Sequence, residues 1–122
     1  MYTEETKIDV DLLAKAHKLR ESIGDTPLVP ISNLFSKKGV QLYAKQEWMQ
    51  LSGSVKARAA YNIILKALEN GALNSNKVLL DATSGNTGIA YAAISKKLGI
   101  KVSLCLPRTP LRNEKTYSNP WV

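Results

Sequence analysis

A chain of 122 residues is the size of one domain or of part of a larger one, and 44% hydrophobic with 22% charged residues is the composition of a folded globular protein. A net charge of +7 invites a nucleic-acid reading, but the basic residues are scattered, Lys37-Lys38 and Lys96-Lys97 fall at element ends, and no basic-aromatic run occurs, so no nucleic-acid partner is expected. The start, MYTEETKIDVDLL, has neither a basic region nor a long apolar run, and no stretch is long enough to cross a bilayer, so neither export nor a membrane is expected.

Residues 9–22, DVDLLAKAHKLRES, carry Leu12, Leu13, Ala16 and Leu19 at helical spacing behind an Asp. His17, the single histidine, lies among polar neighbours and is expected to face solvent. IGDTPLVP (23–30) reads as a turn followed by a short extended piece, because proline disfavours helix in the residue before it. VQLYAKQEW (40–48) alternates well enough for a strand, with Val40, Leu42 and Ala44 on one side. A second helix opens at Ser54, a good N-cap, and stops at Asn70-Gly71. Val55, Ala59, Ile63, Ile64, Ala67 and Leu68 give it an apolar stripe. Lys56 shares a face with Ala60, Ile63 and Ala67, which predicts a lysine aimed inward or into a cleft.

A βαβ unit follows. KVLLDAT (77–83) is a strand, SGNTG (84–88) a turn, TGIAYAAISKKL (87–98) an alanine-rich helix ended by Gly99, and IKVSLCLP (100–107) a second strand. Apolar strands joined by a helix predict an α/β fold with a parallel sheet in three layers, covered on both faces, and a right-handed crossover. The single Cys105 lies inside the last apolar run and reads as a buried thiol in a reducing compartment, with the cytoplasm as the expected location.

In such sheets ligands sit beyond the carboxyl ends of the strands. The loop TSGNTG lies at such an end and leads into a helix whose first N–H groups are unpaired and whose dipole is positive there. Small residues allow close approach to the backbone, and Thr83, Ser84, Asn86 and Thr87 add donors, which together suit a carboxylate or phosphate. Gly, Ser and Asn also serve turns alone. Lys56 supplies the second part: a lysine at a helix N-terminus is opposed by the dipole and, if buried, by desolvation. Both favour the neutral amine that carbonyl chemistry requires. A lysine with its head in water is the plain alternative.

IGDTPLVP, GSVKAR and TSGNTG, in that order, resemble the N-terminal part of the pyridoxal-phosphate enzymes of the cysteine synthase and cystathionine β-synthase family. The usual family forms are IGNTPL, a segment near N-P-x-G-S-V-K-D-R, and TSGNTG, and the likeness covers roughly residues 20–107. It implies pyridoxal 5'-phosphate as cofactor and Lys56 as the residue that forms a Schiff base with it. It further implies that Asn86 bonds the cofactor's ring oxygen, and that Thr83, Ser84, Asn86 and Thr87 hold the carboxylate of a small amino-acid substrate. The implied reaction is β-replacement making cysteine, in a homo-oligomer, with no metal. Gln50-Leu51-Ser52 stands in place of Asn-Pro-x and Ala57 in place of aspartate, and Gln50 with RAAYN (58–62) leans toward the threonine dehydratase branch, so a serine/threonine dehydratase-like lyase is the alternative.

By that likeness residues 1–39 would pack on a large domain, residues 40–107 form the small α/β domain carrying Lys56 and TSGNTG, and the family's phosphate-binding loop would lie downstream. A fragment without that loop is expected to be inactive alone, and pairing with a full-length homologue is a non-catalytic alternative. A small nucleotide-binding domain of flavodoxin type is a weaker one. Residues 108–122, RTPLRNEKTYSNPWV, depart from the family, which continues with something like ENAS and later ILKALG. With codons chosen freely and each triplet begun one base earlier, one permitted reading is ENASEKRKNILKSLG. The shifted triplet at Glu114 encodes only arginine or a stop, and that at Val122 only glycine, so an out-of-frame tail is expected, with a divergent natural one as the alternative.

Overall fold

The computed structural model describes residues 7–107. Helix α1 spans Val10–Leu19 and continues into a 3-10 turn at Arg20–Ser22. Its cap is Asp9, whose Oδ1 accepts from the Leu12 N–H at 3.1 Å, while Oδ2 accepts from the Ser75 N–H at 3.3 Å. These bonds, the Leu12 amide foremost, hold the Asp9 carboxyl below its ordinary pKa. His17 is exposed, as its polar neighbours predict. Strands β1 (Leu28–Ile31) and β2 (Leu42–Lys45) pair antiparallel, Leu28 opposite Lys45, and a 3-10 turn follows at Glu47–Met49. Helix α2 spans Lys56–Glu69, strand β3 Val78–Ala82, helix α3 Asn86–Leu98 and strand β4 Lys101–Cys105. Gly99 ends α3 at φ 77°, a left-handed position that suits glycine.

The core lies where the three helices meet. Leu12 and Ala16 of α1, Ala57, Ala60, Tyr61, Ile64 and Leu68 of α2, and Ala90, Tyr91, Ile94 and Leu98 of α3 are all buried. Alanines at the meeting points let the helix backbones approach closely, and the Tyr61 hydroxyl donates to the Ala16 carbonyl at 3.0 Å, tying α2 to α1. Helix α1 is therefore part of the same core as the unit from residue 40 onward.

The α/β class holds, and β3 and β4 pair in parallel with Val78 opposite Lys101 and Ala82 opposite Cys105. The sheet is partial. The described residues form two separate two-stranded sheets, and the β3–β4 pair is covered on one face only. Leu79, Val102 and Leu104 pack toward the core, whereas Val78 and Leu80 remain 50% and 66% exposed. Cys105 lies on that open side, so the expected buried thiol is an exposed one. Alternation in a strand marks two faces but not how many are covered. Strand β2 is likewise open, with Leu42 and Tyr43 exposed. Among the described residues no helix is long and apolar enough to cross a membrane. The expectation for residues 108–122 lies outside the described residues.

The direction of α2 also differs. Its buried line is Ala57, Ala60, Tyr61, Ile64 and Leu68, so Val55, Ala59 and Ile63 fall on the exposed flank, and Lys56 is exposed. Apolar residues cover more than half the helix circumference, so the sequence permits two inward directions. Packing against α1 and α3 selects the one about 100° away from Lys56, one residue's rotation along the helix.

Ile64 is fully buried at the centre of this contact. Ile64→Ala is expected to lower unfolding free energy by about 3 kcal/mol, read as a fall in urea midpoint at unchanged slope.

Candidate active site

Residues Thr83–Gly85 carry the chain from the C-terminal end of β3 to the start of α3. The Thr83 N–H donates to the Cys105 carbonyl at 3.2 Å, which keeps the loop beside the end of β4. No side chain caps α3, and its first internal bond runs from the Ile89 N–H to the Gly85 carbonyl. The amides of Asn86, Thr87 and Gly88 thus stand at the positive end of the helix without a helical acceptor. Thr83 and Thr87 are half-buried, Ser84 and Asn86 exposed. Thr83 and Ser84 line a cavity of about 360 Å³ with Ala82, Cys105, Leu106 and Pro107.

The two glycines of the loop have different reasons to be glycine. A Cβ on Gly88 would meet Thr83 Cγ2 at 2.9 Å and Leu104 Cδ1 at 3.3 Å, so Gly88 serves the close packing of α3 on its strands. A Cβ on Gly85 would meet nothing within 4 Å, and its φ of −140° is one any residue adopts. Gly85 leaves open space in front of unpaired amides.

Lys56 begins α2. Ser54 caps it in part, its Oγ accepting from the Lys56 N–H at 3.3 Å, although the cap position proper is Val55. The side chain is exposed, so the expected inward or cleft-directed lysine is corrected: burial does not act on it within the described residues. Neither Lys56 nor Asn86 lines the cavities of about 570, 410 or 360 Å³. The 570 Å³ cavity lies between the loop of residues 51–53 and the Ile89, Ala93 and Lys97 side of α3, and the Ser52 Oγ is buried without a hydrogen-bond partner. Lys56 and the loop of residues 83–87 thus stand at the N-termini of two neighbouring, packed helices, with Lys56, Ser84 and Asn86 exposed.

What holds the start of α2 is a cluster that sequence reasoning missed. The Glu47 carboxylate accepts from Arg58 Nε at 3.1 Å, Arg58 Nη2 at 2.9 Å, Thr26 Oγ1 at 2.7 Å and Gln50 Nε2 at 2.9 Å. Arg58 Nη2 also donates to Thr26 Oγ1 at 3.1 Å, Gln50 Oε1 accepts from the Gly24 N–H at 2.9 Å, and Lys45 Nζ donates to the Thr26 carbonyl. Thr26 and Gln50 are buried. A side chain at Gly24 would be strained by its φ of +82°, and its Cβ, 2.9 Å from Arg58 Nη1, would push the guanidinium aside. Asp25 follows at φ 50°, a region aspartate and asparagine tolerate better than most residues. Glu47 and Arg58 are eleven positions apart with no periodicity joining them; the only signal was that turn residues of IGDTPLVP precede a charged pair flanking GSVK.

A family model described as pyridoxal-phosphate dependent enzyme matches residues 19–115. The chain belongs to the pyridoxal-phosphate dependent enzyme family. Within the family it is similar to a probable cysteine synthase of Bacillus subtilis (strain 168), 46% identical over 87 residues that cover 71% of this chain and 28% of that protein. Cysteine synthase B of Salmonella typhimurium is 42% identical over 89 residues, covering 73% and 29%. Among solved structures, a hydrogen sulfide-producing enzyme from Fusobacterium nucleatum superposes with TM-score 0.70 at 36% identity, over 75% of this chain and 30% of that one. O-acetyl serine sulfhydrylase isoform 3 from Entamoeba histolytica gives 0.69 at 31%, over 91% and 32%. The chain therefore spans under a third of the length of these relatives.

Two outcomes follow from the site. Gly88→Ala is expected to lower the melting temperature by several degrees because backbone-anchored Thr83 and Leu104 must move, whereas Gly85→Ala is expected to leave it within about a degree, a surface-like effect; thermal denaturation of the pair reads both. The bonds from Arg58, then Thr26 and Gln50, hold Glu47 at about 2 against an ordinary 4.5. A depressed carboxyl contributes stability that is complete above the unfolded value and lost as pH falls through the folded one. Urea midpoints should therefore fall between pH 4.5 and about 2, and Glu47→Gln should flatten that part of the profile.

Proposed function

We propose that this chain carries the cofactor lysine and the substrate-carboxylate cradle of a β-replacement enzyme of the cysteine synthase kind. The observation that supports it most directly is the pairing of two features on adjacent helices: an amine at the first residue of α2 and an uncapped, unobstructed first turn of α3. The donor set fits pyridoxal phosphate chemically. Lys56 Nζ is an accessible nucleophile, the Asn86 carboxamide can donate to a ring oxygen, and the α3 amides with Thr83, Ser84 and Thr87 suit a carboxylate.

When bound, pyridoxal phosphate supplies an aldehyde for attachment and an electron sink for a carbon acid. In this proposal the residues of the chain do the rest. Lys56 Nζ would hold the cofactor and would be the base that accepts the α-proton of a small amino acid. The amides of Asn86 and Thr87, with the hydroxyls of Thr83, Ser84 and Thr87, would hold the substrate carboxylate. The direction from serine-type substrate plus a sulfur nucleophile to cysteine is taken from the names of the similar enzymes.

Gln50, the departure that leaned toward dehydratases, is buried and bonded to Gly24 and Glu47, which gives it a structural reason independent of branch. Weak cofactor retention, no turnover by the chain alone, and dimeric or larger assembly in the cytoplasm are parts of the same proposal.

Addition of pyridoxal phosphate to the purified chain is expected to give a yellow long-wavelength absorbance band that Lys56→Ala abolishes. A band of equal size in Lys56→Ala would refute Lys56 as the attachment residue.

A further inference from the structure

Exposure of Lys56 poses a problem that packing does not answer. A cofactor-binding amine needs a fixed location, yet this side chain is exposed, its helix has no side-chain cap at Val55, and only the 3.3 Å bond to Ser54 Oγ restrains its amide. Two residues further on, Arg58 is held by a fork to both oxygens of Glu47. That carboxylate is in turn fixed by Thr26 and Gln50, both 5% exposed, and the guanidinium passes close to Gly24, where a Cβ would sit 2.9 Å from Nη1. Gln50 also closes the turn before the lysine, its carbonyl accepting from the Gly53 N–H at 2.8 Å. Both ends of the segment 50–58 are thus anchored on one carboxylate, and Lys56 lies between the anchors.

We propose that Glu47 is a positioning residue for Lys56: by clamping Arg58 on one side and Gln50 on the other, it holds the loop and first turn of α2 so that the Lys56 amine is presented in one place. The inference rests on reading Lys56 as the cofactor-binding amine. It assigns Glu47 no contact with cofactor or substrate. A bidentate Arg–carboxylate pair is suited to this work because it fixes orientation as well as distance, and small displacements of a reacting group cost rate steeply.

The test is site-resolved labelling of the full 122-residue chain. Substoichiometric pyridoxal phosphate is added, the adduct is fixed with borohydride, and peptide mass spectrometry gives the share of label at Lys56 relative to the exposed Lys18 and Lys38. The wild type is expected to label Lys56 preferentially, and Glu47→Gln to lower that preference by about tenfold, with Glu47→Asp restoring part of it. Ile64→Val, which loosens the core without touching the cluster, serves as the control: it is expected to lower the melting temperature yet keep the Lys56 preference. If Glu47→Gln does not fold, Arg58→Lys, which keeps the charge but loses the fork, is expected to show the same loss of preference. Preference at Lys56 that survives Glu47→Gln, or survives Arg58→Lys, overturns the positioning role and leaves the functional proposal standing. No preference for Lys56 in the wild type overturns both. Loss of preference in Ile64→Val equal to that in Glu47→Gln reduces Glu47 to general stability and also overturns the proposal.

Discussion

One carboxylate organises the polar half of this structure. Glu47 receives four hydrogen bonds from three separate stretches of chain: the turn Gly24–Thr26 by way of Thr26, the loop ahead of α2 by way of Gln50, and α2 itself by way of Arg58. Surface ion pairs usually contribute little, because water competes and two long side chains must be ordered. Here the neighbours are buried and the geometry is shared among several donors, which is the condition under which such networks specify one arrangement. The β1–β2 pair has little apolar attachment to the helices, and its link to α2 runs through Lys45, Thr26 and this carboxylate.

The apolar half follows a different logic. Three helices meet through buried alanines and through Ile64, Leu68 and Ile94. Burial of side chains of this size contributes about 1.5–3 kcal/mol each. The β3–β4 pair rests on this helical layer by one face, and the loop at its C-terminal end delivers the first turn of α3. Polar cluster and helical core therefore each control the start of one helix, and the proposed site is built from those two starts.

Much of this was legible in the sequence. Helix boundaries at Asp9, Asn70 and Gly99 carry caps and stops whose chemistry is local, and the parallel pair around α3 follows from two apolar runs with a helix between them. The three motifs disclosed the family because each is a short run of neighbours. Inward direction on α2 was not legible, since Val55 and Ile63 are as apolar as the buried Ile64, and only the partner helices decide between the flanks. Exposure of Cys105 was hidden for a related reason: strand apolarity does not tell whether a second layer is present. The Glu47 cluster escaped entirely, because its members are spread from Gly24 to Arg58 and become neighbours only after the chain has folded.

Helix α1 contributes no side chain to the proposed chemistry, and most of it precedes the stretch matched by the family model. Yet it touches both of the other helices, accepts the Tyr61 hydroxyl on its Ala16 carbonyl, and is pinned through Asp9 to the backbone at Ser75 just before β3. It behaves as a splint laid across two struts. The relative placement of α2 and α3, and with it that of the two proposed groups at their starts, is thus braced by a helix that supplies neither, and a sequence change there would be felt as misalignment at a distance rather than as a missing functional group.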